Sequence, residues 1–172
     1  SVLNFASLCK MAEPLVVHSR QELIEKSQQL AQALPKSNVY LVDLFCGCGG
    51  FSAGADKSKL PILIGVDNCA NKLQTYRQNF GDSAGYSFEM GTDTDGVLIN
   101  EIERRLEAKL GGAYTSAKVH IHSSPPCTTA SKAGGARQTE GDVSNRLTNW
   151  AIQFIHQCQQ KPWYFSCSME QG

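Results

Sequence analysis

Apolar residues along the chain alternate between two textures. Short runs dense in Val, Ile and Leu read as strands buried on both faces, and longer segments with apolar positions three and four apart read as helices. Val39–Leu44 is the first strand, followed by a glycine-rich turn and a short helix from about Phe51 to Asp56. Pro61–Val66 is the second, ending at Asp67, and residues 69–80 are helical. Tyr86–Met90 is a third strand. Val97–Leu110 follows as a helix with Leu98, Ile102, Leu106 and Leu110 on one face. Lys118–Ser123 is the fourth strand, Val143–Gln160 a helix and Trp163–Met169 the fifth strand. Ahead of all this, residues 20–34 read as an amphipathic helix capped by Ser19 and stopped by Pro35. Residues 128–142, rich in Thr, Ala, Gly, Ser and Arg, read as a mobile loop.

Strands alternating with helices predict an α/β fold, a doubly wound and mostly parallel sheet with helices on both faces. The expected organisation is a leader with one helix over 1–36 and a main domain over 37–172. Ligands of such sheets collect at the carboxyl ends of the strands, near the switch in strand order. The chemically suggestive residues fall there: Asp43–Gly50 after strand one, Asp67 after two, Asp93 after three, Cys127 after four and Glu170 after five.

Composition narrows the picture. Lys and Arg number 16 and Asp and Glu 16, so the formal net charge is zero, and a complete nucleic-acid binder would be expected to carry a basic excess. No apolar run reaches membrane-spanning length and no signal peptide is evident, so an intracellular protein with no membrane partner is expected: nuclear in a eukaryote, cytoplasmic otherwise. The 7 cysteines lack paired C-x-x-C spacing. They read as reduced thiols with no metal site.

Four features carry candidate chemistry, with a pair of histidines beside them. Asp43-Leu-Phe-Cys-Gly-Cys-Gly-Gly-Phe-Ser-Ala-Gly places glycines at a strand-to-helix turn, where backbone can approach a ligand closely. As a dinucleotide fingerprint it is imperfect, with Ser52 where Gly or Ala is usual, and a tight turn without ligand would read the same way. Asp67, at the next strand end, suits the two hydroxyls of a ribose, though it would equally cap the helix that follows. Ser124-Pro-Pro-Cys127 holds a thiol on a stiff segment after a buried strand, as a nucleophile requires. Glu170, just past the fifth strand, is expected to be partly desolvated and to act as a general acid. His120 and His122 share a face of the fourth strand. They are candidate bases for the thiol, or histidines satisfied within the core.

In order and spacing these segments resemble the cytosine-C5 DNA methyltransferases. The glycine-rich stretch is similar to that family's first motif. Val66-Asp67 with Ala70, Thr75-Tyr76 and Asn79-Phe80 is similar to the second block. Ser124-Pro-Pro-Cys127 with Ser131 resembles the Pro-Cys motif, and Met169-Glu170-Gln171 the Glu-Asn-Val motif. The resemblance implies a Rossmann-like methyltransferase fold that binds S-adenosylmethionine. Phe45, Gly47, Cys48 and Gly50 would border the cofactor, Asp67 would hold the ribose, and Asn68 would lie beside the adenine. Asp93, or alternatively Asp95, would take the adenine amino group, and Pro126 would line the cofactor side of the thiol.

The same resemblance implies that Cys127 adds to C6 of a cytosine flipped out of double-stranded DNA. Glu170 would protonate N3, Arg146 would contact a phosphate or the base, and the 128–142 loop with Lys132 and Arg137 would close over it. Departures from the family pattern are Thr128, Ala130 and Gln171. The later arginine motif, the target-recognition region and the last cofactor helix do not occur in these 172 residues, so a truncated catalytic domain is expected, completed by a missing C-terminal region or a second chain. The alternatives are an RNA cytosine-C5 methyltransferase and a non-catalytic methyltransferase-like regulator.

Overall fold

A computed structural model describes residues 19, 21, 22, 25, 38–82, 84–92, 96–126 and 138–170, the side chains of 138–144 excepted. The chain divides into two compact units, Ser1–Leu34 and Pro35–Gly172. In the first, residues 21, 22 and 25 are helical, and the Ser19 hydroxyl accepts the Glu22 N–H at 3.1 Å, the bond expected of a cap. The remainder of the expected leader helix lies outside the described residues.

The second unit is built on five parallel strands: β1 (Val39–Leu44), β2 (Ile62–Asp67), β3 (Gly85–Ser87), β4 (Lys118–Ser123) and β5 (Tyr164–Met169). Their order is β3-β2-β1-β4-β5, so the sheet winds one way from β1 and then reverses through β4. Each parallel neighbour requires a crossover, and these are α1 (Gly50–Lys57), α2 (Ala70–Phe80), α3 (Val97–Leu110) and α4 (Gln138–Cys158). A 3-10 turn over Gly111–Ser116, not foreseen from the sequence, leads into β4.

The winding fills two cores. On one face, Val42, Leu44, Ile64, Val66, Val119 and Ile121 pack under Leu98, Ile102 and Leu106 of α3 and Trp150, Phe154 and Cys158 of α4. Burial pushes the Cys158 thiol up to about 12, so it behaves as a small apolar side chain. On the other face, Leu73 and Tyr76 of α2 cover Cys46. Gly65 of β2 lies directly beneath Tyr76, where an added Cβ would sit 2.2 Å from the ring. The central strand β1 is buried from Leu41 to Leu44, whereas β5 alternates half-buried and exposed, as a sheet edge should.

Two boundaries differ from the sequence reading. β3 occupies only Gly85–Ser87, because Phe88 turns its N–H to the Asp67 carbonyl and the chain then leaves the sheet. Helix α4 begins at Gln138, inside the segment read as loop. The composition of 138–142 is polar, and this first stretch precedes the apolar stripe from which a helix is recognised.

Candidate functional site

The crevice opens where the strand order reverses, at the carboxyl ends of β1 and β4. Leaving β1, the chain passes through three left-handed residues at alternate positions: Phe45 (φ 60), Gly47 (φ 54) and Gly49 (φ 95). Such alternation turns backbone N–H groups toward one side, and here the Gly47 N–H meets the Asp67 carboxylate at 3.0 Å. Gly49 is required sterically as well, since a Cβ there would lie 2.4 Å from the Phe80 ring. A bulky residue at positive φ is strained, and Phe45 is held in that state with its ring edge-on to Trp150, 6.3 Å between centroids.

Asp67 is buried, and each of its oxygens already accepts one backbone N–H, Gly47 on Oδ2 and Cys69 on Oδ1 at 2.8 Å. The two roles foreseen for it are therefore compatible. One lone pair on each oxygen serves the turn and the start of α2, leaving acceptor capacity on both for a ligand.

Ser52, the residue that spoils the dinucleotide fingerprint, is fully buried. It donates to Asp43 Oδ2 at 2.6 Å and lies 2.8 Å from the Tyr76 hydroxyl. A serine fits because β1 and α2 supply partners for it. Burial raises Asp43 to about 6 against the opposing Ser52 hydrogen bonds, and its Oδ1 has no partner. Burial also pushes the Cys46 thiol far above its ordinary value, so Cys46 is a packing residue. The five described cysteines, Cys46, Cys48, Cys69, Cys158 and Cys167, are free thiols.

The segment approaching the predicted nucleophile is fastened to this turn. Ser124 donates its N–H to the Leu44 carbonyl at 3.2 Å and its hydroxyl to the Phe45 carbonyl at a long 3.4 Å. Pro125 is buried and Pro126 exposed. A cleft of about 410 Å³ runs between these elements. Phe45, Asp67, Asn68, Pro126 and Arg146 were all singled out from the sequence and all line it. Ser124, from the Ser-Pro-Pro-Cys motif, lines it too, as do Lys72, Glu89, Met90 and Leu147, which were not foreseen. Met90 and Leu147 carried a weak signal as apolar residues next to predicted loops. Arg146 lies beside Gly91, on the rim of this cleft.

The other predicted residues divide as follows. Gly47, Cys48 and Gly50 belong to the turn but not to the cleft wall, and Gly47 acts through Asp67. Glu170 is exposed rather than partly desolvated, because β5 is the sheet edge, and its N–H is bound to the Ser123 carbonyl at 3.0 Å. Cys127, Asp93, Asp95, Lys132, Arg137 and Gln171 lie outside the described residues. His122 is buried, stacked on Phe51 at 3.4 Å between centroids and bonded to Ser168, so it is satisfied within the fold. Among the described residues no group of three or more His, Cys, Asp or Glu comes together to hold a metal ion, and no helix is long and apolar enough to cross a membrane.

Comparison with known proteins meets this geometry from another side. The family model for C-5 cytosine-specific DNA methylases matches residues 39–167. The type II methyltransferase M1.HphI of Haemophilus parahaemolyticus is 32% identical over 122 residues, 70% of this chain and 30% of that protein. M.HgiDI of Herpetosiphon aurantiacus is 32% identical over 111 residues, 62% of this chain and 29% of that protein. M.HgiGI of the same organism is 46% identical over 111 residues, 62% of this chain and 72% of that protein. The chain thus spans less than a third of the first two relatives and most of the third. With a family match that runs from the start of β1 into β5 of a doubly wound parallel sheet, the chain belongs to the C-5 cytosine-specific DNA methylase family.

Proposed function

We propose that the chain transfers a methyl group from S-adenosylmethionine to C5 of a cytosine in DNA, with Cys127 as nucleophile. One observation supports this above the others: Ser124 bonds to the Phe45 carbonyl, so Ser124 and Pro126, which precede Cys127 in the chain, border one cleft with the start of the glycine turn. The cleft suits the cofactor. Asp67 has unused acceptor positions for a ribose, Phe45 offers an aromatic ring to the adenine, and no Cβ at Gly47 or Gly50 would meet protein atoms. When bound, S-adenosylmethionine supplies an electrophilic methyl group on a sulfonium.

The residues account for the rest. C5 of cytosine is a poor nucleophile, and adding the Cys127 thiolate to C6 turns the C5–C6 bond into an enamine whose C5 accepts the methyl. Glu170, donating a proton to N3, disperses the charge that builds on the ring during addition. Loss of the C5 proton to water, expulsion of the thiolate and return of the N3 proton to Glu170 restore the aromatic base. Pro125 and Pro126 restrict the backbone leading to Cys127, keeping the thiol in place without a large entropic cost. Exposed Arg146, on the cleft rim, suits a phosphate or the flipped base. Double-stranded DNA is the partner, its target base extruded to reach the thiol.

The test uses an oligodeoxynucleotide containing 5-fluorocytosine, whose C5 substituent cannot leave as a proton. With S-adenosylmethionine present, the protein should form a covalent adduct that survives denaturation, and Cys127→Ser should abolish it while calorimetric cofactor binding persists. An RNA oligonucleotide run in parallel should give none. Trapping that survives Cys127→Ser, or trapping on RNA alone, overturns the assignment.

A further inference from the structure

The two side chains that the proposed reaction brings to the base leave the sheet from neighbouring strands: β4 runs into Ser124-Pro-Pro-Cys127 and β5 into Glu170. The β4–β5 register therefore bears on their relative placement. In it His122 pairs with Ser168 and Ser123 with Met169, and the Glu170 N–H closes the pairing on the Ser123 carbonyl at 3.0 Å. Packing specifies this register poorly. β5 lies at the sheet edge and none of its six residues is fully buried, and a strand without a buried face gains little from one alignment over another.

A polar ladder supplies what packing does not. His120 Nδ1 lies 2.8 Å from Ser166 Oγ, His120 Nε2 3.0 Å from Ser168 Oγ, and His122 Nδ1 2.9 Å from the same Ser168 Oγ. The Ser168 hydroxyl has one proton, so it donates to one ring and accepts from the other, and with neutral rings all three bonds form together. Burial holds both imidazoles below their ordinary value, which keeps those neutral forms at pH 7. At the far end His122 is buried and stacked on Phe51, which fixes the ladder to α1. Only the observed alignment sets two serines against two histidines. Sliding β5 by two residues, the smallest slip that keeps each side chain on its face, leaves one serine opposite a histidine and carries Glu170 about 7 Å along β4.

We propose that Ser168, bridging His120 and His122, is a positioning residue for methyl transfer: it locks the register that holds Glu170 beside the strand end leading to Cys127. This role rests on the reaction proposed above. Ser168 acts through Glu170, because the carboxyl must reach N3 of the same base whose C6 the thiolate attacks, and a slipped β5 carries it away from that base. None of His120, His122 and Ser168 lines the cofactor cleft, so loosening the ladder leaves Asp67 and Asn68 where they are.

Hydrogen exchange reads the lock directly. In the 172-residue chain, without DNA or cofactor, Ser168→Ala should speed exchange of the Glu170 amide at least about tenfold, while the amides of Leu41–Leu44 keep their wild-type rates. Ser168→Thr, which keeps the hydroxyl, should restore protection. His120→Phe, which keeps a ring and removes both nitrogens, should reproduce the loss. Adduct formation with the fluorocytosine oligodeoxynucleotide should slow at least about tenfold in Ser168→Ala and recover in Ser168→Thr. Calorimetric S-adenosylmethionine affinity should be unchanged in both, whereas a general loosening of the fold would weaken it. A Glu170 amide that stays protected in Ser168→Ala, or trapping that does not slow, overturns the assignment of Ser168. If wild type never forms the adduct while Ser168→Ala frees the Glu170 amide, the methyl-transfer reading fails and the register lock stands.

Discussion

The buried carboxyl of Asp43 makes the stability of this fold depend on pH in an unusual direction. Its value rises from 3.8 to about 6 on folding, chiefly through desolvation, with the Ser52 hydrogen bond opposing. Between those values the folded protein binds the proton more tightly than the unfolded chain, so this group's stabilisation is complete below about pH 3.8 and is lost as pH rises through about 6. The rise corresponds to about 3 kcal/mol, or on the order of 10 °C in Tm for a unit of this size. Asp43→Asn removes the titration. Its amide oxygen still accepts from Ser52, and its NH₂ falls where Oδ1 now has no partner, at a cost of about 1–3 kcal/mol that does not vary with pH. The informative quantity is therefore the difference between the two proteins, from urea unfolding at closely spaced pH values from 4 to 8. Glu101, held at about 2 mainly by Arg104 and also by Arg105, is present in both and cancels. Wild type should lose stability relative to the variant across pH 4–7, with the change centred between the unfolded and folded values. Parallel curves, or a wild type that gains stability relative to the variant as pH rises, would refute the assignment of an uncompensated charge to this site.

Two further substitutions test the turn. Gly49→Ala places a Cβ 2.4 Å from Phe80 and 3.0 Å from Tyr76 at φ 95, and should cost about 2–4 kcal/mol. Gly54→Ala, in α1 with nothing within 4 Å of the added carbon, should stabilise by about 0.5–1 kcal/mol. Denaturant midpoints that move together would show that packing at Gly49 is not the constraint. Asp67→Asn leaves one oxygen to serve the two N–H groups of Gly47 and Cys69 and faces the other with an NH₂. Unfolding free energy should fall by about 1–3 kcal/mol, and S-adenosylmethionine affinity, read by calorimetry, should fall at least about tenfold, the equivalent of one lost hydrogen bond to a charged group. Unchanged cofactor affinity would remove Asp67 from the ribose site.

The parts of this fold legible in the sequence are those fixed by local pattern. β1, β2 and β4 are short runs flanked by turn residues, and the parallel sheet follows from their alternation with helices. The start of α4 was hidden because its first residues are polar, and β3 was over-extended because Phe88 and Met90 look strand-like although the chain turns away at Phe88. Ser52 reads as a flaw in the glycine motif until Asp43 and Tyr76 are placed beside it, one on β1 and the other on α2. Glu170 shows the converse error: its position after a strand suggested burial, but burial depends on whether another strand lies alongside, and β5 is an edge.

The histidines draw the same distinction more finely. Alternation along β4 gives the face that His120 and His122 share, but not their partners, since Ser166 and Ser168 are 46 residues away and enter only through the β4–β5 register. A slip of one residue in that pairing would turn both serines to the opposite face and leave half-buried His120 and buried His122 without them. The bulge at the start of the pairing is therefore consequential. Val119 pairs with Tyr164 and His120 with Ser166, so Phe165 is the extra residue, and the shift it introduces brings the serines into line with the histidines. Deleting Phe165 should thus disturb the imidazole signals well before it disturbs the central strands, because it resets register at the edge while β1, β2 and the helices over them keep their contacts.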